Sequence, residues 1–99
     1  MIYKIAKFTV KKNKLKICKR AIKEFVHQIK NNEPGTILYE SFQENNSSTF
    51  IHFMVFKDEK AEEKHADSEY VNKFTNILYP NCSKKPLFTE LNLVESNRH

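Results

Sequence analysis

Glycine is almost absent from this sequence, with Gly35 the single example among 99 residues. Phosphate-binding loops of the P-loop type and the dinucleotide-binding fingerprint each need several glycines, because the backbone must approach the phosphates closely. The composition therefore excludes P-loop NTPase and Rossmann-type functions.

Cysteine is scarce as well. Cys18 and Cys82 lie far apart and show neither CxxC nor Cys/His ligand spacing. We favour one thiol in the core and one in a loop, with a disulfide or a metal site as the alternatives. No HExxH, Ser-His-Asp, Cys-His or paired-carboxylate motif stands out, and we predict no metal site.

Long apolar runs are missing too, since no stretch approaches the roughly 20 residues that a membrane span needs. The N-terminus alternates and lacks the cleavage site of a signal peptide. We expect a cytoplasmic protein without membrane attachment. The hydrophobic fraction of 39% and the charged fraction of 29% suit one globular domain over residues 1–99.

The net charge of +5 is unevenly distributed: residues 1–32 carry ten Lys/Arg against one Glu, and residues 33–99 carry seven Lys/Arg against eleven Asp/Glu. A basic half can attract nucleic acid, here through Lys16, Lys19 and Lys23. We favour a solvated lysine-rich helix face, because the aromatic residues do not interleave with the charges as a stacking platform would.

Hydrophobic periodicity predicts four strands over residues 2–10, 36–44, 49–56 and 87–94. A basic amphipathic helix covers 12–30, and a short acidic helix capped by Asp58 covers 59–65. A third helix follows a cap at Asp67 or Ser68 and ends before Pro80. The remaining predictions are a type II turn at Pro34-Gly35, a loop over 81–86 and a frayed tail over 95–99.

The predicted order, β-α-β-β-α(α)-β, fits an α+β fold of the ferredoxin-like type, with a four-stranded antiparallel sheet and helices on one face. The third strand is apolar on both sides, whereas an antiparallel strand with one wet face alternates apolar and polar residues. The second face needs a cover, and a second subunit is the simplest source. We therefore predict a homodimer.

The central stretch resembles the antibiotic biosynthesis monooxygenase family, small dimeric α/β-barrel proteins that include quinol monooxygenases. The resemblance rests on the run from Phe56 to Ala61, on His65, and on the helix start from Asp67 to Tyr70 followed by Phe74. It covers residues 2–94 in element order and is specific over about 56–74.

The chain also departs from the family pattern. Met54 stands where the family usually has a carboxylate, and Phe56 stands where a tryptophan is frequent. Some relatives degrade haem with an asparagine, a tryptophan and a histidine. Because this chain has no tryptophan and its first strand no asparagine, we do not expect haem degradation.

The resemblance implies a cofactor-independent monooxygenase that oxidises a quinol-like or polyphenolic aromatic with O2. Removal of a phenolic proton suits histidine, whose ordinary pKa of about 6.5 is near neutral. His65 matches the family histidine and is the candidate catalytic base or hydrogen-bond donor; the alternative is a helix-end histidine that caps carbonyls or pairs with an acid such as Glu62 or Glu69. Further residues are candidates for substrate binding: His52, Tyr39, Met54, Phe56, Tyr70 and Phe74.

The binding candidates have structural alternatives of their own. A buried His52 satisfied by a backbone carbonyl and ordinary core tyrosines would explain the pattern equally well. Met54 in place of the carboxylate favours a second hypothesis for the whole chain, a non-catalytic ligand-binding or signalling member of the same fold. A nucleic-acid binder is the third hypothesis and the least favoured.

Overall fold

The structure, a computed structural model, describes residues 1–98. Its elements follow the predicted order, with short 3₁₀ turns before the first helix and after the last. They are β1 (Ile2–Val10), α1 (Leu15–Asn32), β2 (Thr36–Gln43), β3 (Thr49–Phe56), α2 (Glu59–Ala66), α3 (Glu69–Leu78) and β4 (Cys82–Leu91).

The four strands form one antiparallel sheet in the order β2-β3-β1-β4. The helices lie on one face of this sheet. The architecture is the ferredoxin-like α+β fold that the sequence predicted, and it leaves β2 and β4 at the edges.

The core lies between the sheet and the helices. On α1, the apolar stripe that the sequence predicted is buried: Cys18, Ala21, Ile22, Phe25 and Ile29. Phe25 stacks on Phe74 of α3 with ring centroids 4.2 Å apart, which joins the two long helices. Lys16, Lys19 and Lys23 are exposed on the opposite side of α1, as a solvated face requires.

The last strand differs from the prediction: it begins at Cys82, not at residue 87, and ends at Leu91. The expected loop over 81–86 is therefore mostly strand, and Cys82 is a strand residue. Pro86 misled the sequence interpretation, because proline interrupts most strands. Here it lies on an edge strand, where the pairing register with β1 shifts between Lys7 and Thr9, so its missing N–H removes no required ladder bond.

The turn after α1 also corrects the prediction. Thr36 N–H donates to the carbonyl of Glu33 across Pro34-Gly35, but no glycine has a positive φ, which a type II turn would require. Gly35 serves a different purpose. A Cβ at this position would lie 2.7 Å from the Cβ of Ala61, so the absent side chain lets the turn pack against α2.

The other face of the sheet carries no helix. The pairing registers place a set of large, mostly apolar residues there: Tyr3, Ile5, Leu38, Phe42, Ile51, Phe53, Leu87 and Leu91, with Lys7, Glu40 and Thr89 among them on the same face. We call this set the open face. Phe42 and Leu87 are 52% and 69% exposed.

The chain beyond β4 forms no regular element over residues 92–98. This covers most of the predicted tail, whereas His99 lies outside the described residues. Among residues 1–98, no helix combines the length and the apolar character required for a membrane crossing.

Candidate active site

A cavity of about 210 Å³ lies between the helix-covered face of the sheet and the helices α2 and α3. It brings together six of the seven side chains that the sequence marked as site candidates: His65, His52, Tyr39, Met54, Phe56 and Phe74. The seventh, Tyr70, does not line the cavity.

His65 lies in the last turn of α2 and is paired with a carboxylate. Its Nδ1 atom is 3.0 Å from Oε1 and 3.2 Å from Oε2 of Glu33. From the sequence, an acid such as Glu62 or Glu69 is expected; the partner is an acid, but it is Glu33 at the end of α1. Glu62 instead forms an ion pair with Lys4.

Glu33 follows α1 directly and is 4% exposed. Three donors compensate for the burial of its carboxylate. The Thr36 hydroxyl donates to Oε1 at 2.6 Å, the Tyr70 hydroxyl donates to Oε2, and His65 contributes the third bond. A carboxylate that accepts several hydrogen bonds can remain charged in the interior.

Sequence reasoning missed Glu33 altogether. Glu33 and His65 are 32 residues apart, and no motif spacing connects them. The one available signal was an isolated acid between a basic helix and a Pro-Gly turn, which does not by itself indicate a site.

The Glu33 contact determines which nitrogen of His65 is free to accept a proton. A carboxylate is an acceptor only, so Nδ1 carries the proton that it donates to Glu33. Nε2 then holds the free lone pair, and no residue among 1–98 bonds to it. An imidazole held in this way can accept a proton from a ligand in the cavity while Glu33 fixes the ring's orientation.

His52 is 1% exposed and bonds to Tyr39, whose hydroxyl oxygen lies 2.8 Å from Nδ1. On the sequence alone, the alternative partner of His52 is a backbone carbonyl, whereas in the structure the partner is the Tyr39 side chain. Burial, together with the positive charge of a protonated His65, lowers the pKa of His52 to about 4. His52 is thus neutral near pH 7.

Tyr39 and Tyr70 both keep their protons at neutral pH. Burial and the Glu33 carboxylate raise the pKa of Tyr39 well above its usual range. Burial and the hydrogen bond to Glu33 raise the pKa of Tyr70 to about 12. Tyr70 therefore contributes to the site through Glu33 rather than by contact with the cavity.

Most of the remaining walls are apolar, although Lys4, Glu62 and Thr75 also line the cavity. The rings of Phe74 and His52 are nearly parallel, with centroids 6.0 Å apart. The ring centroids of Phe56 and His65 are 5.3 Å apart. Met54 is buried at the position where the resemblance led us to expect a carboxylate. A flat aromatic ligand suits such walls.

Neither cysteine belongs to this site. Cys18 and Cys82 are free thiols, and burial raises the pKa of each. Residues 1–98 contain no cluster of three His, Cys, Asp or Glu side chains that could hold a metal ion.

Solved structures share this fold at low sequence identity. A crystal structure of an antibiotic biosynthesis monooxygenase superposes with a TM-score of 0.88 at 18% identity, covering 96% of this chain and 100% of that chain. A protein from Caulobacter crescentus CB15, described as a candidate antibiotic biosynthesis monooxygenase, gives 0.87 at 19%, with 95% and 90% covered.

A similarly described protein from Nitrosomonas europaea gives a TM-score of 0.86 at 16% identity, with 96% and 100% covered. At these identities the likeness concerns the fold. No curated protein matches the chain by sequence.

The family model for antibiotic biosynthesis monooxygenases matches residues 1–76. This range runs from β1 into α3 and includes Glu33, both cavity histidines and all the aromatic candidates. The chain belongs to the antibiotic biosynthesis monooxygenase family.

Proposed function

We propose that this protein is a cofactor-independent monooxygenase that oxidises a quinol-like or polyphenolic aromatic with O2. The observation that carries the proposal is the Glu33–His65 pair beside a cavity lined largely by aromatic and other apolar side chains. The pair supplies an oriented proton acceptor where a phenolic substrate would lie.

The reaction begins with a proton. His65 takes the phenolic proton at Nε2, and the resulting imidazolium stays paired with the Glu33 carboxylate. The electron-rich phenolate then reduces O2. In the overall balance, a quinol and O2 give a hydroxyquinone and water, so one oxygen atom enters the ring and the substrate supplies all the electrons.

The apolar walls support this chemistry. Water would solvate the phenolate and lower its reactivity towards O2, and Phe56, Phe74 and Met54 give the cavity an apolar side that offers water no hydrogen-bond partner. The size of the cavity favours small substrates, because about 150 Å³ already accommodates a benzene ring.

The test is oxygen uptake by purified, metal-free protein with 1,4-hydroquinone and 1,4-dihydroxynaphthalene, using ¹⁸O2 to follow the oxygen atom. We expect one labelled oxygen in the product and no hydrogen peroxide. General base catalysis typically contributes about 100-fold to 10,000-fold, so His65→Ala should reduce kcat by at least about 100-fold.

His27→Ala is the matched control, because His27 is exposed on α1 and does not line the cavity. Its rate should equal that of the wild type. The proposal fails if the full panel gives no turnover above a protein-free blank, or if His65→Ala is as active as His27→Ala.

A ligand-binding role without turnover is the second candidate. Met54 favours it, because a buried thioether can neither accept a proton nor carry the charge of the family's usual carboxylate. This role predicts a rise in the melting temperature with a phenolic ligand and no oxygen consumption. Turnover would exclude it.

We also propose that two copies pair through the open face. The support is compositional and spatial: large apolar side chains cover a face that no helix of residues 1–98 protects. Exposed apolar surfaces of this kind mark interaction sites, and a second copy presents an equally apolar, complementary sheet.

A further inference from the structure

We infer that His52 is a fixed hydrogen-bond donor, through Nε2–H, for an acceptor oxygen on a one-ring or two-ring aromatic ligand in the cavity. The inference rests on the proposed function insofar as the ligand is the substrate. It adds the position of a second ligand oxygen, opposite to the phenol that His65 would deprotonate.

The proton count determines the state of His52. If Tyr39 donates its O–H to Nδ1, the neutral imidazole carries its proton on Nε2, and one donor remains unpaired. If Nδ1–H donates to Tyr39 instead, the Tyr39 proton and the Nε2 lone pair both lack partners. The first arrangement leaves fewer unpaired groups, and the raised pKa of Tyr39 keeps its proton available.

Nε2 of His52 is the one buried side-chain nitrogen or oxygen among residues 1–98 without a hydrogen-bond partner. Buried polar groups are nearly always paired, and an unpaired one in a native structure calls for a missing partner. The ring lines the cavity, but Nε2 itself is closed off from water in the ligand-free protein, so a ligand oxygen reaches Nε2–H once a neighbouring wall side chain shifts.

The ring of Phe8 is the competing acceptor. It lies edge-on to His52 with centroids 5.1 Å apart, and an aromatic face accepts only a weak hydrogen bond from N–H. A carbonyl oxygen is the stronger partner, so a ligand that offers one gains affinity that a hydrocarbon ligand of the same shape lacks.

The two histidines flank one side chain. The ring of Tyr39 lies 5.6 Å from His65 and 5.3 Å from His52. A ligand lying along Tyr39 would meet the proton acceptor at one end and the donor at the other. This fits a phenol with a second oxygen elsewhere on its ring system, such as a hydroquinone or a hydroxyaryl ketone.

The cavity volume limits the size of such a ligand. A cavity of about 150 Å³ takes benzene, so the space of about 210 Å³ here suits one ring or two fused small rings. Larger polycyclic phenols would require the walls to move.

The test measures binding with two probes that cannot be oxidised at a phenol, 1-indanone and indane. They share a shape, and only the ketone has an acceptor oxygen. We expect the ratio of the two dissociation constants to shift about fivefold to tenfold against the ketone in His52→Leu, the effect of one lost hydrogen bond. Met54→Leu, which also alters the wall, should keep the wild-type ratio.

Long-range ¹H–¹⁵N NMR of the wild type provides a test that needs no variant to fold. At pH 7 the His52 ring should show a protonated Nε2 and an unprotonated Nδ1, and 1-indanone should shift the Nε2 proton where indane does not. A protonated Nδ1, or equal responses to both probes because Phe8 already satisfies Nε2–H, would overturn the inference.

The two proposals fail separately. Selective indanone binding without oxygen uptake by any quinol would remove the monooxygenase proposal and leave the donor role of His52 standing. Quinol turnover with no ketone preference would do the reverse.

Discussion

Glu33 and His65 connect the end of α1 with the last turn of α2 through one hydrogen-bonded pair. The histidine was identified from its resemblance to the family, and its expected role stays a prediction. The carboxylate was not identified, because nothing in the chain near either residue indicates the other. A pair of this kind arises only when two elements pack.

Replacing Glu33 with glutamine tests its role in positioning His65. Glutamine keeps the size of the side chain, but its amide cannot accept from three donors as a carboxylate does. Residues that orient a functional histidine typically contribute about 10-fold to 100-fold, so kcat should fall by this amount with a smaller change in KM. Steady-state kinetics on a quinol substrate measures both.

Glu33→Asp should recover part of the rate, and Glu24→Gln, on the exposed side of α1, should behave as the wild type. An unchanged kcat in a folded Glu33→Gln protein would contradict the positioning role.

His52 should make the free energy of unfolding depend on pH. Its pKa is about 4 in the folded protein and about 6.5 in an unfolded chain. Between these values the unfolded chain binds a proton that the folded protein does not. Stability should therefore fall as the pH drops from about 6.5 to 4, by about 3 kcal/mol.

Urea denaturation across this pH range measures the effect. His52→Gln should show a shallower decline than the wild type, whereas the non-titrating substitution Met54→Leu should leave the slope unchanged. Equal slopes for His52→Gln and the wild type would show that His52 titrates normally in the folded protein.

At the scale of elements, the periodicity of the sequence predicted α1, α2 and three of the strands within a few residues. Asp58 caps α2 as expected, with its carboxylate accepting from the Ala61 N–H at 2.9 Å. The start of β4 was wrong because proline and lysines read locally as a loop, and only pairing with β1 makes that segment a strand. The local composition of residues 82–86 carries no information about β1, which lies more than seventy residues earlier in the chain.

Gly35 shows a second limit of local reasoning. This position requires glycine because of a close contact with another element, not because of its backbone conformation. In Gly35→Ala the new methyl group would collide with Ala61, and overpacking of this kind costs about 1–3 kcal/mol. Thermal and chemical denaturation measure the loss.

The double variant Gly35→Ala with Ala61→Gly tests the mechanism. Removing the Ala61 methyl group frees the space, so the cost of Gly35→Ala should be smaller in that background than in the wild type. Additive costs would mean that the turn and α2 do not interfere.

At the scale of the whole molecule, the helices cover one face of the sheet and leave the other open. The two-sided apolar pattern of β3 predicts this asymmetry from the sequence. Pairing of two copies remains a prediction from that pattern.

Phe42→Glu tests the pairing. A charge introduced on the apolar face would be desolvated without a partner when two copies pair, so the variant should be monomeric where the wild type is dimeric. Sedimentation velocity or light scattering after size exclusion gives the mass. Ile17→Glu is the matched control, because Ile17 is similarly exposed, at 51%, but lies on α1.

A monomeric wild type, or equal masses for the wild type and Phe42→Glu, would show that the open face is not the contact between copies.

The sequence by itself determined the fold class, the order of the elements and which faces of α1 and α3 are buried. These features follow from apolar periodicity, caps and turn residues, which act over a few neighbouring positions. Its single glycine also excluded P-loop NTPase and Rossmann-type functions.

The tertiary structure alone decided which polar groups meet inside. The pairs Glu33–His65 and Tyr39–His52, and the unpaired Nε2 atom beside the cavity, depend on how α1, α2 and the sheet pack together. A buried polar atom acquires its meaning from its partners, and those partners come from distant parts of the chain.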